Sequence, residues 1–132
     1  MILVDTSVWI DFFNGVDTPS RHALHRMIDQ EADLALTGLV LTEVLQGFRH
    51  PKDFRMAQEL LLSLPRFDLR PPEDYLGAAR LYRECRRKGV TIRKTIDCLI
   101  AQVALANGLT MFHCDSDFDR IGQVHPLKIV KI

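Results

Sequence analysis

The chain lacks any overall charge bias. Lys and Arg together number 17 and Asp and Glu also 17, so the formal net charge is zero. A general electrostatic grip on nucleic acid or on a membrane surface is therefore excluded, and any basic surface has to be local. Cysteine is scarce. Cys85, Cys98 and Cys114 are odd in number and match no zinc-binding spacing, which argues against a disulfide scaffold and a zinc module. They read as reduced, mostly buried thiols. The histidines are scattered and form no HExxH-type pair. No basic leader precedes the first apolar run, which Asp5 interrupts. No stretch reaches the length of a membrane span; "LALTGLVLTEVL" is too short and carries Glu43. The expected location is the cytoplasm, away from membrane. Walker A, GxSxG and GxGxxG patterns are all missing.

Hydrophobic residues make up 47% of the 132 positions, enough to build one core, so a single domain over residues 1–132 is expected. Residues 2–5 read as a short buried strand, and "SVWIDFFNG" as a short helix stopped at Asn14-Gly15. A helix over 20–31 has Ser20 as its N-cap candidate. "DLALTGLV" holds a second strand. In "LTEVLQGF", Leu41, Val44, Leu45 and Phe48 make an i, i+3, i+4, i+7 stripe. "HPKDF" breaks that pattern, and residues 53–63 are helical up to Pro65. "RFDLR" is a weak strand. Pro71-Pro72 starts a longer helix with Tyr75, Ala78, Ala79, Tyr82 and Cys85 as its apolar stripe, ended at Lys88-Gly89. "TIDCLIAQVALANG" is a helix that Thr95 can cap. "LTMFHC" is a strand, "DSDFDRI" a turn with a short helix, and "LKIVKI" a last strand. Strands alternate with helices and no hairpin signals intervene. The pattern predicts an α/β domain with a mainly parallel central sheet of four to five strands and helices on both faces.

Four acids stand out by context. Asp5 ends the first strand, Glu43 follows "LALTGLVLT", Asp97 lies in the first turn of an apolar helix, and Asp115 ends "LTMFHC". Each has an ordinary structural explanation. Asp97 complements a helix dipole, Asp5 and Asp115 suit turns or N-caps, and Glu43 suits a solvated helix face. Together they occupy the carboxyl ends of strands and the nearby helix starts, where ligands gather in open parallel sheets. Clustered carboxylates repel unless a cation intervenes. Hard oxygen donors around an open site suit Mg²⁺ or Mn²⁺ and a phosphate-bearing substrate. Gly47, four residues after Glu43, would leave space beside that carboxylate. "DSDFDRIG" resembles the start of an EF-hand loop, but Arg120 stands at the obligatory glycine position and Pro126 at the twelfth, which excludes it.

Basic residues concentrate in "RLYRECRRKGVTIRK". Arg83 and Arg87 share a helical side with Arg80, and Arg93 and Lys94 directly precede the helix bearing Asp97. A solvated helix face explains them as well as a phosphate-contacting rim does.

The order "ILVDTSVWIDFF", "TGLVLTEVLQG", "TIDCLIAQVALANG", "CDSDFDRI" resembles the PIN-domain nucleases, most of all the VapC-type toxins of bacterial and archaeal toxin–antitoxin pairs. The resemblance covers nearly the whole chain. It implies a parallel sheet between helices and an endoribonuclease dependent on one or two Mg²⁺ or Mn²⁺ ions. It maps the metal-binding, catalytic acids to Asp5, Glu43, Asp97 and Asp115, with Asp117 auxiliary and the hydroxyl of Thr6 or Ser7 hydrogen-bonded within the site. It further implies tRNA or ribosomal RNA as substrate, homodimerisation, and inhibition by a cognate antitoxin. Trp9 is the expected exposed contact for that partner, whereas Phe12 and Phe13 are expected in the core. One departure is visible: relatives often carry Thr two residues before the last acid, where this chain has His113. Two rivals follow from the same residues. One is a catalytically silent PIN-like binding module. The other is a receiver-like phosphoacceptor domain, which would need an early acid pair that this chain lacks.

Overall fold

A computed structural model describes residues 1–132. Its sheet is built from β1 (Ile2–Val4), β2 (Leu34–Ala35) and β3 (Thr110–Phe112), in the order β2-β1-β3 with both pairings parallel. Ile2 pairs with Leu34 on one side and Thr110 on the other. Successive strand residues point to opposite faces. Leu3 and Val4 are both buried, as are Leu34 and Ala35, and Met111 and Phe112. Both faces of the sheet are therefore covered, as a parallel sheet requires.

The two weaker strands shrink to single parallel bridges at the edges, Leu36 with Arg66 and Met111 with Ile129. The sheet is thus three regular strands with a one-bridge strand position at each edge, in keeping with the four to five expected. Around Arg66 the Leu36 amide donates to the Pro65 carbonyl at 2.9 Å and the Phe67 amide to the Leu36 carbonyl at 2.7 Å, and pairing ends as Asp68 turns to accept from the Gly38 amide at 2.9 Å and Arg66 Nε at 2.8 Å.

Seven helices connect the strands: α1 (Thr6–Asn14), α2 (Pro19–Asp29), α3 (Gly38–Leu45), α4 (Pro51–Leu62), α5 (Glu73–Arg87), α6 (Thr95–Asn107) and α7 (Ser116–Val124). α1 and α6 stop at Gly15 and Gly108, whose φ angles of 66° and 65° suit residues without a Cβ. Four local expectations shift. Thr18, not Ser20, caps α2, accepting from the Arg21 amide at 3.1 Å. Pro51 opens α4 instead of breaking a pattern, because a proline is tolerated in the first turn. Thr95 is the first residue of α6 and gives it no side-chain cap. Tyr75 is exposed, so α5 buries Asp74, Ala78, Leu81 and Cys85 instead.

The core runs from Leu3, Val8 and Leu24 through Ile100 and Val103 to Phe112, Phe118 and Ile121. Trp9 belongs to it at 0% exposure, which removes it as a surface contact. Its ring stacks on Phe13 at 5.7 Å and meets Phe12 edge-on at 5.8 Å, while Phe12 and Phe13 are only partly buried. The aromatic that reaches deepest is the largest one, as area burial favours. Cys85 and Cys98 are buried; Cys114 is exposed.

α5 and α6 make the most extensive helix contact, and a buried acid stitches it. Asp74 is fully buried and accepts from the Arg70 amide at 2.8 Å, Arg70 Nη2 at 3.1 Å and Gln102 Nε2 at 3.1 Å. Gly77 makes room: a Cβ there would stand 2.6 Å from the Gln102 amide group. The Arg70 hydrogen bonds outweigh burial and hold the Asp74 carboxyl far below the usual range. Its stabilising effect is therefore complete above the unfolded-state pKa of about 4 and is lost as pH falls through the depressed folded-state value. The Arg70 side chain is largely exposed, so solvent screens the ion-pair share and the amide bonds matter more. Asp74→Asn should lower stability at pH 7 by about 2 kcal/mol and flatten its decline below pH 4. Urea denaturation at a series of pH values checks both; parallel wild-type and variant curves would contradict the role.

Candidate active site

The site grows from the ends of β1 and β3. The Asp5 amide donates to the Phe112 carbonyl at 2.8 Å, so the last rung of the β1–β3 ladder sets Asp5 at the carboxyl edge of the sheet. The Asp5 side chain then caps α1, accepting from the Ser7 amide at 3.2 Å and the Ser7 hydroxyl at 2.7 Å. Ser7 Oγ in turn accepts from the Cys114 amide at 3.1 Å, tying the β3–α7 turn to the start of α1. Thr6 reaches the other way and donates to Glu43 Oε1 on α3 at 2.7 Å. The two hydroxyls of "DTS" thus perform separate tasks. Asp5 is only 4% exposed, and burial raises its carboxyl pKa against the Ser7 hydrogen bonds, with the Asp115 charge adding to the rise.

Asp97, Asp115 and Asp117 can each bring one oxygen within 4.8 Å of the others. Their roles differ. Asp117 is fully buried and committed: Oδ2 accepts from the amides of Arg93 and Lys94, both at 3.2 Å, and Oδ1 from Arg120 Nη1 at 2.9 Å. It anchors the loop entering α6 and keeps its negative charge, with a pKa below the ordinary range. Asp115 caps α7 through the Asp117 amide at 3.0 Å, and its other oxygen takes the Lys94 ammonium. Burial raises its pKa, but the Asp117 amide and Lys94 outweigh it, so the net shift is downward. Asp97 is 3% exposed and its Oδ2 has no hydrogen-bond partner. Burial first, then contact with Asp117, pushes its pKa up to about 7, while Lys94 opposes.

Asp115 and Asp117 are thus held through both oxygens and Asp5 through Oδ2, whereas Oδ2 of Asp97 stays unpartnered. An enclosed, unpartnered carboxylate oxygen beside two further acids is a site that lacks positive charge. Lys94 Nζ, 3.6 Å from Asp97 Oδ2, answers part of that need. The donors are all oxygen, which fits Mg²⁺ or Mn²⁺ and not a thiophilic metal. Neither Asp5 nor Glu43 joins the close cluster; Asp5 acts on it through its charge, and Glu43 is held by the Thr6 hydroxyl next to Asp5 in the chain. A Cβ at Gly47 would meet only the Val44 carbonyl at 3.5 Å, so Glu43 gains no room from that glycine.

Arg93 and Lys94 turn inward: Arg93 Nε lies 3.4 Å from Asp117, and Lys94 bonds Asp115. Arg83 and Arg87 stay exposed on α5, where they line an open hollow with Arg80, Glu84 and Arg86. Sequence reasoning gave Asp117 too small a part and passed over Lys94 as a partner of the acids. The signal was the Arg-Lys pair set immediately before the Asp97 helix. His113 faces the same turn, with Nδ1 3.1 Å from the Asp115 amide.

These assignments separate two acids that look alike in sequence. In chelated protein, Asp117→Ala should cost about 3 kcal/mol, because two amides and two guanidinium groups lose their acceptor. Asp97→Asn should instead raise the melting temperature by about 2–6 °C by relieving carboxylate crowding. Calorimetry on both variants checks this; the opposite order would reverse the division between anchoring and free acids.

The sequence matches the PIN domain family over residues 2–124. It is 33% identical to ribonuclease VapC11 of Mycobacterium tuberculosis over 129 residues, covering 97% of this chain and 96% of the relative. Among solved structures, a toxin–antitoxin complex from Klebsiella pneumoniae superposes with a TM-score of 0.75 at 19% identity, covering 99% of this chain and 97% of that one. The sarcin–ricin loop cleaving toxin VapC20 of M. tuberculosis superposes with a TM-score of 0.70 at 20% identity, covering 92% of this chain and 95% of that one. The three-layer fold, the acids gathered at the carboxyl edge of its sheet and the full-length match to VapC11 agree: the chain belongs to the PIN-domain family, among the VapC-type ribonucleases.

Proposed function

We propose that the chain is a Mg²⁺- or Mn²⁺-dependent endoribonuclease that hydrolyses phosphodiester bonds in structured cellular RNA and acts as the toxin of a type II toxin–antitoxin pair. The observation that carries this reading is the close group of Asp97, Asp115 and Asp117, in which Oδ2 of Asp97 has no partner, with the Asp5 charge near enough to raise the Asp97 pKa. The relatives support the biology: VapC20 is described as cleaving the sarcin–ricin loop, and the Klebsiella structure is a toxin–antitoxin complex. Transfer RNA or ribosomal RNA is the proposed substrate class, and VapC20 supports the ribosomal one.

Asp5, Asp97 and Asp115 would hold the metal, with Glu43 beside them through Thr6. When bound, a divalent ion supplies Lewis acidity that activates water and stabilises charge developing on the phosphate and the departing oxygen. The chain's own residues prepare that chemistry. Ser7 fixes the Asp5 carboxylate and Thr6 fixes Glu43, so neither acid has to reorganise as charge develops. Asp117 holds the α6 entrance, and with it the position of Asp97. Lys94 and Arg93 stand beside the acids and are placed to meet phosphate oxygens. Arg83 and Arg87 extend positive charge along α5. Hydrolysis by this route leaves a 5′-phosphate and a 3′-hydroxyl.

The partner assignments are the RNA, a cognate antitoxin and a second copy of the chain in a homodimer, all in the cytoplasm. No helix is long and apolar enough to cross a membrane. With Trp9 buried, the apolar contact for an antitoxin helix falls to the hollow lined by Phe12, Phe13, Phe48 and Met56.

Chelation should abolish RNA cleavage and added Mg²⁺ or Mn²⁺ should restore it. Asp97→Asn should remain folded and inactive. Full activity in excess chelator would defeat the metal-dependent reading. Replacing Arg83 and Arg87 together with Ala should weaken RNA binding and reduce the slope of log affinity against log salt by about 1–2. A salt titration of binding by the Asp97→Asn protein reads this directly. An unchanged slope would return the two side chains to a solvated helix face.

A further inference from the structure

Asp115 reaches the site from a turn, and a turn holds a carboxylate only as well as its own backbone is held. Three amides in that turn have defined acceptors. The Cys114 amide donates to Ser7 Oγ, the Asp117 amide to Asp115 Oδ1, and the Asp115 amide to Nδ1 of His113 at 3.1 Å. The last bond fixes the tautomer. A backbone amide can only donate, so Nδ1 accepts and the ring proton sits on Nε2. Nε2 lies 3.2 Å from Asp119 Oδ1 without a hydrogen bond. The ring lies against Phe118, centroid to centroid 5.2 Å, and its side chain is 6% exposed. Burial and packing by Phe118 hold the imidazole in the orientation that points Nδ1 at the amide.

We propose that His113 is a positioning residue for Asp115: its Nδ1 accepts the Asp115 amide and so sets the turn that presents the Asp115 carboxylate to the metal. This inference rests on the reading of Asp115 as a metal-holding acid. The function needs an acceptor on the δ atom of residue 113 and little else. Asparagine carries one at the equivalent position and favours this same turn, its side chain accepting from the amide two residues on. Leucine keeps apolar bulk against Phe118 but accepts nothing. The pair of substitutions therefore separates positioning from packing.

The test uses the full chain without RNA. Mn²⁺ affinity is measured by calorimetry, and exchange of the Asp115 amide proton by NMR. His113→Asn should keep Mn²⁺ affinity within about threefold and leave the amide protected, whereas His113→Leu should weaken Mn²⁺ binding by about 10-fold or more and expose the amide to exchange. His113→Met repeats the second arm if the Leu protein does not fold. Wild-type affinity in the Leu or Met protein, or an Asn protein as weak as either, would overturn the proposal. If Asp115→Asn loses Mn²⁺ while His113→Leu does not, the positioning role falls and the metal site stands. If the wild-type chain binds no Mn²⁺, the metal reading falls and this inference falls with it.

Discussion

Everything at the catalytic edge depends on keeping like charges close. Asp5, Asp97, Asp115 and Asp117 come from three separate segments of the chain, and the Asp115 charge raises the electrostatic cost of ionising the other three. Nothing local in sequence brings them together. The β1–β3 ladder does so for Asp5 and the β3–α7 turn, and the packing of α6 on β3 does so for Asp97. The core formed by Leu3, Val4, Ile100, Ala101 and Phe112 supplies the burial that offsets the repulsion.

The fold relieves that repulsion unevenly. Asp117 receives amides and the Arg93 and Arg120 guanidinium groups, stays charged and acts as an anchor. Asp97 receives no hydrogen bond on Oδ2 and is pushed toward its neutral form. Relief could have been shared evenly, and the domain would then be more stable and the site less demanding of a cation. The unmet hydrogen-bonding need is concentrated on one enclosed oxygen, where a bound cation would favour the charged form of Asp97. It is also where stability and function oppose each other.

Much of this was legible in the sequence. The alternation of strands and helices and the stops at Gly15 and Gly108 follow from periodicity and turn chemistry, and Asp5, Asp97 and Asp115 do stand at element starts, whereas Glu43 lies inside α3. Three things were not. The strand at Arg66 is cut to one bridge as Asp68 turns to the Gly38 amide, a tertiary detail that apolar pattern does not encode. Trp9 looked like an interface residue because burial of an aromatic depends on what α1 packs against. Within the site, Asp97 and Asp117 are equivalent to any pattern reader. Only the amides of Arg93 and Lys94, from a loop more than 20 residues away, decide which of the two is an anchor and which is a free donor.

The same reasoning explains why basic residues sit in two groups. Arg93 and Lys94 are close enough to the acids to be drawn into them, so without RNA their charge is spent inside the protein, partly neutralising the cluster. Arg83 and Arg87 on α5 have no acid partner within ion-pair distance and keep their full charge toward solvent. A chain with zero net charge can attract a polyanion only through such an unneutralised patch. The outer group is therefore the charge left unneutralised, and the inner group the charge that offsets the acids. Moving Lys94 away from Asp97 and Asp115 would leave those carboxylates uncompensated unless another cation replaced it.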